Sequence, residues 1–385
     1  MKKFRKILSY ILVAVVASLV TLAISDGGVQ PEYSKLEQLA DLIEARFIGE
    51  ADRTVMEDAA AEAMVASLGD RWSYYIPANE YEAYREQMNN AYVGIGITIQ
   101  ATEDGSGLEV LKVNEGGPAE EAGMLAGDLI VEIEGQDIRG MSASGARELV
   151  RGQEGTQVAI TVLREGERIA LSVTRKTVQT VVAEGKMLEG NVGLITIVNF
   201  DSRCASETIA AIEMLLDQGA EALLFDVRNN PGGYKHELVE ILDYLLPEGP
   251  LFRSEDYTGA VLVDESDDAF LDIPMAVLVN EESYSAAEFF AAALREYEMA
   301  TVIGTQTCGK GYFQTTIELA DGSAVGLSVG KYTTPKGVSL AEEGGLIPDV
   351  VVEVDQETAM SIYAGTLEPE LDPQIGAALE VLTAQ

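Results

Sequence analysis

The chain predicts an α/β fold on three observations. Residues 190 to 355 alternate short apolar runs with amphipathic helical segments. One of those runs, Ala222 to Val227, is apolar at nearly every position, as a strand covered on both faces requires. The stretch before them, Tyr92 to about Val178, has a different texture: short alternating runs broken by glycine turns, the mark of a small β-rich module. At 385 residues and 47% apolar content, the chain has material for two or three cores. With 64 acidic against 26 basic residues and a formal net charge of -38, it does not read as a nucleic-acid binder, because phosphate contacts need clustered Lys and Arg. Cys204 and Cys308 are the only cysteines and His236 the only histidine. Without Cys-x-x-Cys or paired-histidine spacing, neither a metal site nor a cofactor is expected, and a Ser-His-Asp triad is disfavoured.

Taken in order, residues 1–30 read as a targeting segment. Lys2, Lys3, Arg5 and Lys6 precede an apolar stretch from Ile7 to Ile24 interrupted by Ser9, Tyr10, Ser18 and Thr21. This pattern predicts a single-pass cell-membrane anchor with the remainder outside the cytoplasm, or a secreted protein released at Ala23-Ile24-Ser25. Residues 31–90 read as helical, with stripes at Leu36, Leu39, Ala40, Leu42, Ile43 and at Val55, Ala59, Ala63, Met64, Leu68; the expectation is a packed helical cap. Trp72, Tyr74 and Tyr75 read as core aromatics.

Residues 91–178 contain Tyr92-Val-Gly-Ile-Gly-Ile97 and the run Gly117-Pro-Ala…Ala122-Gly123…Gly127-Asp128, a pattern that resembles a PDZ domain. The resemblance implies that Val93, Gly94, Ile95 and Gly96 form a loop whose amides hold a peptide's terminal carboxylate, with the peptide added to a strand edge. Taken alone, Gly94 and Gly96 equally permit a simple bulge. Residues 179–355 form the core, with strands at 192–197, 222–227, 275–280 and 300–304 and helices near 206–216, 234–245 and 285–297. Residues 356–385 read as a linker and a closing helix.

Two residues of this core carry chemistry. Ser285 ends the turn after one strand and opens a helix, where free amides and the positive helix end converge. Its unexceptional reading is a helix cap, with Glu288 completing a capping box; Ser283 is a second cap candidate. Lys310 lies between Gly309 and Gly311 after another strand, and a desolvated lysine amine can deprotonate a serine. His236 is the rival base, against its reading as a partly exposed helical side chain. The stretch from Gly304 to Lys310 matches a phosphate loop except at its last position: Gly311 supplies no hydroxyl for magnesium, and a hairpin follows instead of a helix.

Together the PDZ-like module, Asp226-Val-Arg-Asn-Asn-Pro-Gly-Gly233, Ser283-Tyr-Ser-Ala-Ala-Glu288, Gly309-Lys-Gly311 with Gln314, and Tyr332-Thr-Thr-Pro-Lys-Gly337 with Ile347-Pro-Asp349 resemble the carboxyl-terminal processing peptidases, or tail-specific proteases. The match runs from about residue 35 to the end. It implies a crotonase-like, ClpP-like core of strand-strand-helix units with an inserted PDZ domain that binds substrate tails and gates the site. It also implies Ser285 as nucleophile, Lys310 as base, Gln314 as the residue that orients it, and the amides of Gly232 or Gly233 and of Ala286 as oxyanion donors. Protein or peptide substrates with exposed C-terminal tails are the implied partners, and a homo-oligomer is compatible with the pattern. Glu282, Tyr284 and Cys308 depart from the family's usual residues. A membrane-tethered PDZ adaptor without activity is the competing class.

Overall fold

The structure, a computed structural model, describes residues 35–102 and 104–383. The basic-apolar segment read as signal or anchor lies outside them. Among the described residues, no helix is long and apolar enough to cross a membrane. The chain divides into two compact units, 1–75 and 76–385.

In the first unit, helix α1 (Lys35–Arg46) is followed by α2 (Arg53–Ala66). Asp52 caps α2 by accepting from Val55 N at 3.2 Å, and Arg53 bridges Asp41 and Glu57 at 2.8 Å each. The expected packing of the two stripes is only partly seen. Ala40 is buried, whereas Leu36, Leu39, Leu42, Val55 and Met64 stay largely exposed. Two short helices have too little facing surface to enclose two stripes.

The second unit begins with α3 (Ala78–Met88) and strand β1 (Ala91–Gly94), which pairs antiparallel with β8 (Lys176–Gln179). The chain therefore enters and leaves the β-rich module side by side. Within the module, β2 (Ile97–Ala101), β3 (Leu108–Val113), β4 (Leu129–Ile133), β6 (Gln157–Arg164) and β7 (Glu167–Thr174) form an antiparallel sheet in the order β2-β3-β4-β6-β7, with β5 (Gln136–Asp137) beside β4. Alternate residues Leu108, Val110, Ile160 and Val162 turn inward to one core with Ile130 and Ile133. Helices α4 (Pro118–Glu121) and α5 (Ala143–Val150) complete it, and Ala119 and Ala146 join the core.

The larger sheet runs β9 (Ala183–Met187), β10 (Val192–Ile197), β11 (Ala222–Asp226), β14 (Met275–Val279), β15 (Ala300–Gly304), β18 (Val350–Val351). All neighbours are parallel except β9 with β10. Its two faces explain the continuous apolar runs. Ile195, Ile197, Leu223, Phe225, Val277 and Val279 face α6 (Cys204–Asp217), α7 (Lys235–Leu245) and α8 (Ala286–Glu296). The intervening Leu194, Leu224, Ala276, Leu278 and Ile303 face α9 (Pro373–Thr383) through Ile375, Ala378 and Leu382. Each buried Val, Leu, Ile or Phe side chain among these contributes about 1.5–3 kcal/mol. Arg228 ties this helix to the core: it pairs with Asp226 at 2.6 Å and Asp372 at 2.8 Å, and donates to Gln374 at 2.8 Å. Beside the sheet, β12 (Gly249–Asp256), β13 (Val261–Ser266), β16 (Tyr312–Glu318) and β17 (Ala324–Thr333) pair antiparallel in the order β16-β17-β12-β13.

Candidate active site

In an open parallel sheet, strand ends and helix starts converge at the carboxyl edge, where ligand sites form. Here the loops after β10, β11, β14 and β15 meet. Ser285 sits at the start of α8 with φ 59 and ψ -121, a conformation that costs a non-glycine residue energy and aims its side chain out of the turn. Gly232 has φ +87, and a Cβ there would stand 2.8 Å from Ser285 Cβ, Ala286 N and Tyr284 O. Only glycine lets the loop after β11 touch the start of α8 so closely.

That loop is held from inside by Asn230, which is fully buried. Its Nδ2 donates to Ile197 O and its Oδ1 accepts from Gly232 N, each at 2.8 Å, while its carbonyl accepts from Tyr284 N at 3.2 Å. Phe200 clamps the loop's far side, donating from its N to Gly232 O and accepting at its O from Tyr234 N, both at 2.7 Å. The Gly232 N–H is therefore engaged. The N–H groups of Gly233 and Ala286 donate to no acceptor among the described residues.

The two serines separate cleanly. Ser283 is buried; its Oγ donates to Val227 O at 2.7 Å and accepts from Asn280 N at 3.0 Å, which locks the β11 and β14 ends together. It does not cap α8. The Ser285 hydroxyl instead lies beside the phenol of Tyr332.

The link between Ser285 and Lys310 is Glu288, fully buried one turn into α8. Its Oε1 accepts from Ser285 N at 3.0 Å and from Lys310 N at 2.6 Å. Its Oε2 accepts from Gly309 N at 2.9 Å and Thr307 Oγ1 at 2.8 Å. One carboxylate oxygen thus joins both backbones. Burial raises the pKa of Glu288, and the hydrogen bonds from Lys310, Thr307, Gly309 and Ser285 oppose that shift. Tyr332 adds a second clasp: its hydroxyl donates to Lys310 O at 2.6 Å and its N to Gly311 O at 3.0 Å, while its ring packs on Phe289 of α8. Burial lifts the phenol well above its ordinary value.

Among the other expected residues, Lys310 Nζ lies 5.9 Å from the Tyr284 ring centroid. Gln314, on β16, donates from Nε2 to Ser328 Oγ at 2.9 Å and Tyr312 O at 3.3 Å; neither bond goes to Lys310. His236 is 70% exposed, stacked on Tyr234 with its Nε2 3.6 Å from Glu237. In the module, Val93 and Gly94 belong to β1, Ile95 is buried with its O accepting from Ala119 N at 2.9 Å, and Gly96 adopts φ +73 with its O accepting from Asn114 N at 2.9 Å. Val93 N donates to Glu86 Oε1 at 3.1 Å. Beyond this loop, β2 is the end strand of the sheet, next to α5.

Sequence reasoning assigned Glu288 only to a helix cap and gave Tyr332, Asn230 and Thr307 no separate role. A charged residue inside the apolar run Ala286–Leu294 was the available signal, because a carboxylate is seldom buried without partners.

A strained serine at a helix start beside free amides, on a parallel sheet with an attached β module, is the site of an α/β serine hydrolase. Comparison with known proteins narrows this. The family model described as peptidase family S41 matches residues 191–352, and a PDZ domain model matches 109–164. The carboxy-terminal processing protease CtpA of Bacillus subtilis (strain 168) is 32% identical over 368 residues, covering 92% of this chain and 78% of that protein. A probable CtpA-like serine protease of Staphylococcus aureus (strain COL) is 30% identical over 341 residues, covering 88% and 68%. Among solved structures, a putative S41 protease from Bacteroides fragilis shares the fold at TM-score 0.51 and 18% identity, covering 92% of this chain and 99% of that one. The photosystem II D1 C-terminal processing protease is 30% identical with TM-score 0.47, covering 81% and 86%. The chain is a serine-type peptidase with a PDZ domain, and it belongs to the carboxy-terminal processing proteases of family S41.

Proposed function

We propose that this chain cleaves proteins near their C-termini with Ser285 as nucleophile and Lys310 as general base. The observation that carries the reading is the single Glu288 oxygen accepting from both Ser285 N and Lys310 N, which fixes the two loops side by side. In the reaction, the neutral Lys310 amine takes the Ser285 hydroxyl proton as Oγ bonds to the scissile carbonyl carbon. The carbonyl oxygen becomes an oxyanion that accepts from the N–H groups of Gly233 and Ala286. Gly232 supplies close approach, its own N–H being committed to Asn230. Collapse breaks the C–N bond, and Lys310 returns its proton to the leaving amine. Water then attacks the acyl-enzyme as Lys310 takes its proton; the Oγ–acyl bond breaks, the new carboxyl end leaves, and Lys310 returns the proton to Ser285 Oγ. Gln314, whose amide is bonded to Ser328 and Tyr312, is assigned the orienting of the base on its spacing four residues after Lys310.

The PDZ domain binds the substrate's terminal tail, with Val93, Gly94, Ile95 and Gly96 at the carboxylate and β2 as the edge that the peptide extends, and it gates delivery to Ser285. The N-terminal basic-apolar segment places the enzyme outside the cytoplasm, anchored or released after cleavage. The test is cleavage of a tail-bearing protein by the full chain and by Ser285→Ala and Lys310→Ala. Both variants are expected to lose turnover by at least roughly a thousandfold. Undiminished cleavage by Ser285→Ala would reject the reading.

A further inference from the structure

We propose that Asp201 is a positioning residue of the oxyanion loop, its carboxyl charge setting how well the Gly233 N–H receives a developing negative oxygen. This rests on Gly233 being an oxyanion donor. Asp201 lies in the loop after β10 and is 5% exposed. Its Oδ1 is the one buried side-chain nitrogen or oxygen among the described residues with no hydrogen-bond partner. Such an atom is uncommon in a folded protein, because an unmet buried acceptor forfeits its hydration without return.

The position of this acid makes the anomaly functional. Gly233 has φ +155, and a Cβ on it would stand 2.2 Å from Phe200 C and 2.6 Å from Asp201 N. The backbone that carries Asp201 is therefore pressed against the residue whose amide is free. Phe200, its neighbour, holds the same loop through Gly232 O and Tyr234 N.

Among the described residues, no cation pairs with Asp201. From α7 comes Glu237, buried, with its oxygens taken by Arg203 N at 3.0 Å and Ala205 N at 2.7 Å. His236, 70% exposed, stands 3.6 Å from Glu237 Oε1. From the start of α6 come the Cys204 thiol, kept neutral by burial, and Arg203. The Arg203 guanidinium is drawn away to Glu207 at 2.9 Å and to the carbonyls of Asn89, Asn90 and Thr180. Asn199 spends its oxygen on Asp201 N and on Asn90 Nδ2, each at 3.0 Å. Burial, reinforced by the Glu237 charge, pushes Asp201 up to about 7. Below neutrality the loop is backed by a neutral acid, and above it by a buried anion that opposes a second negative charge at Gly233.

The sign of the stability effect follows. A carboxyl whose folded pKa is raised holds its proton longer in the native state, so stability falls as pH rises from the ordinary aspartate value of 3.8 to about 7 and is then level. Asp201→Asn removes that fall.

The experiment compares the full wild-type chain with Asp201→Asn, and with Asp201→Ser in case the amide packs poorly. It measures kcat and KM on a tail-bearing peptide from pH 5.5 to 9, and Tm over pH 4 to 9. The expected result is a variant-to-wild-type kcat ratio near one at pH 5.5 that grows to roughly tenfold above pH 8, with KM little changed. Over the same series, the variant's Tm should gain on the wild type up to about pH 7. A kcat ratio independent of pH overturns the proposal, whether or not the Tm curves diverge. The Tm arm does not depend on the catalytic reading, and Ser285→Ala tests that reading alone, so the two fail separately.

Discussion

The two loops that matter in this molecule are held in opposite ways. At the carboxyl edge of the parallel sheet, the backbone around Ser285 and Lys310 is tied by side chains with no access to water: Glu288, Asn230 and Ser283. In the PDZ domain, the Val93–Gly96 stretch is held mostly through backbone: Val93 and Gly94 pair with β8, the Ile95 and Gly96 carbonyls accept from Ala119 N and Asn114 N, and Val93 N donates to the half-buried carboxylate of Glu86. Buried charge-assisted hydrogen bonds fix atoms at the cost of intolerance to change. Backbone ties of this kind do not depend on particular side chains, so this stretch tolerates substitutions that the first region does not. The first region is specified by buried side chains and the second by its backbone.

The strongest way to break this contrast is Glu288→Ala. Three N–H groups and the Thr307 hydroxyl lose their acceptor in a dry interior. We expect about 3–5 kcal/mol of lost stability in urea unfolding, and kcat reduced at least roughly a hundredfold where the variant still folds. Glu288→Gln keeps one acceptor oxygen and should fall between. If Glu288→Ala retained both stability and turnover, the internal tie would be ornamental.

Gly232→Ala comes next. The residue needs φ +87, and the new methyl would meet Ala286 N, Ser285 Cβ and Tyr284 O at 2.8 Å each, with no flexible side chain among them to move aside. A loss of about 1–3 kcal/mol is expected, together with a fall in kcat larger than any change in KM, because the displaced atoms are those of Ser285, the proposed nucleophile, and its neighbours. A rise in KM alone would mean that the glycine serves substrate binding instead.

Tyr332→Phe is milder, since ring packing against Phe289 and Phe252 remains and only the bond to Lys310 O and the contact with Ser285 are removed. About 1 kcal/mol of stability and roughly tenfold in kcat are expected. Unchanged kcat would confine Tyr332 to packing.

What was legible in the sequence follows the same division. The parallel strands, the turn after each and the placement of Ser285 at a helix start are local patterns, and apolar runs with glycine punctuation announce them. The partners of Glu288 are not local. Thr307, Gly309 and Lys310 reach it only because β15 lies beside β14, so the capping box with Ser285 was all that spacing revealed. The commitment of Gly232 N–H to Asn230 is a local turn two residues long, whereas the bond of Gln314 to Ser328 and the exposure of the α1 and α2 stripes were hidden for the same reason as the partners of Glu288. Both depend on which surfaces tertiary packing brings together.

The smallest effect expected is at the module. Glu86→Gln keeps an acceptor for Val93 N–H but removes a negative charge from the loop proposed to receive a tail carboxylate. Stability should change by no more than about 0.5 kcal/mol, since the site is half-exposed. Turnover of a short internal peptide that does not engage the PDZ domain should be unaltered. Binding of a tail peptide with a free carboxylate should tighten about two- to fivefold, more at low ionic strength than at high, because a like charge near the ligand has gone. The same peptide with an amidated terminus should not respond. Equal gains for the free and amidated peptides would show that Glu86 acts on the loop's shape and not on its charge, and would leave the capture loop as rigidly specified as the catalytic one.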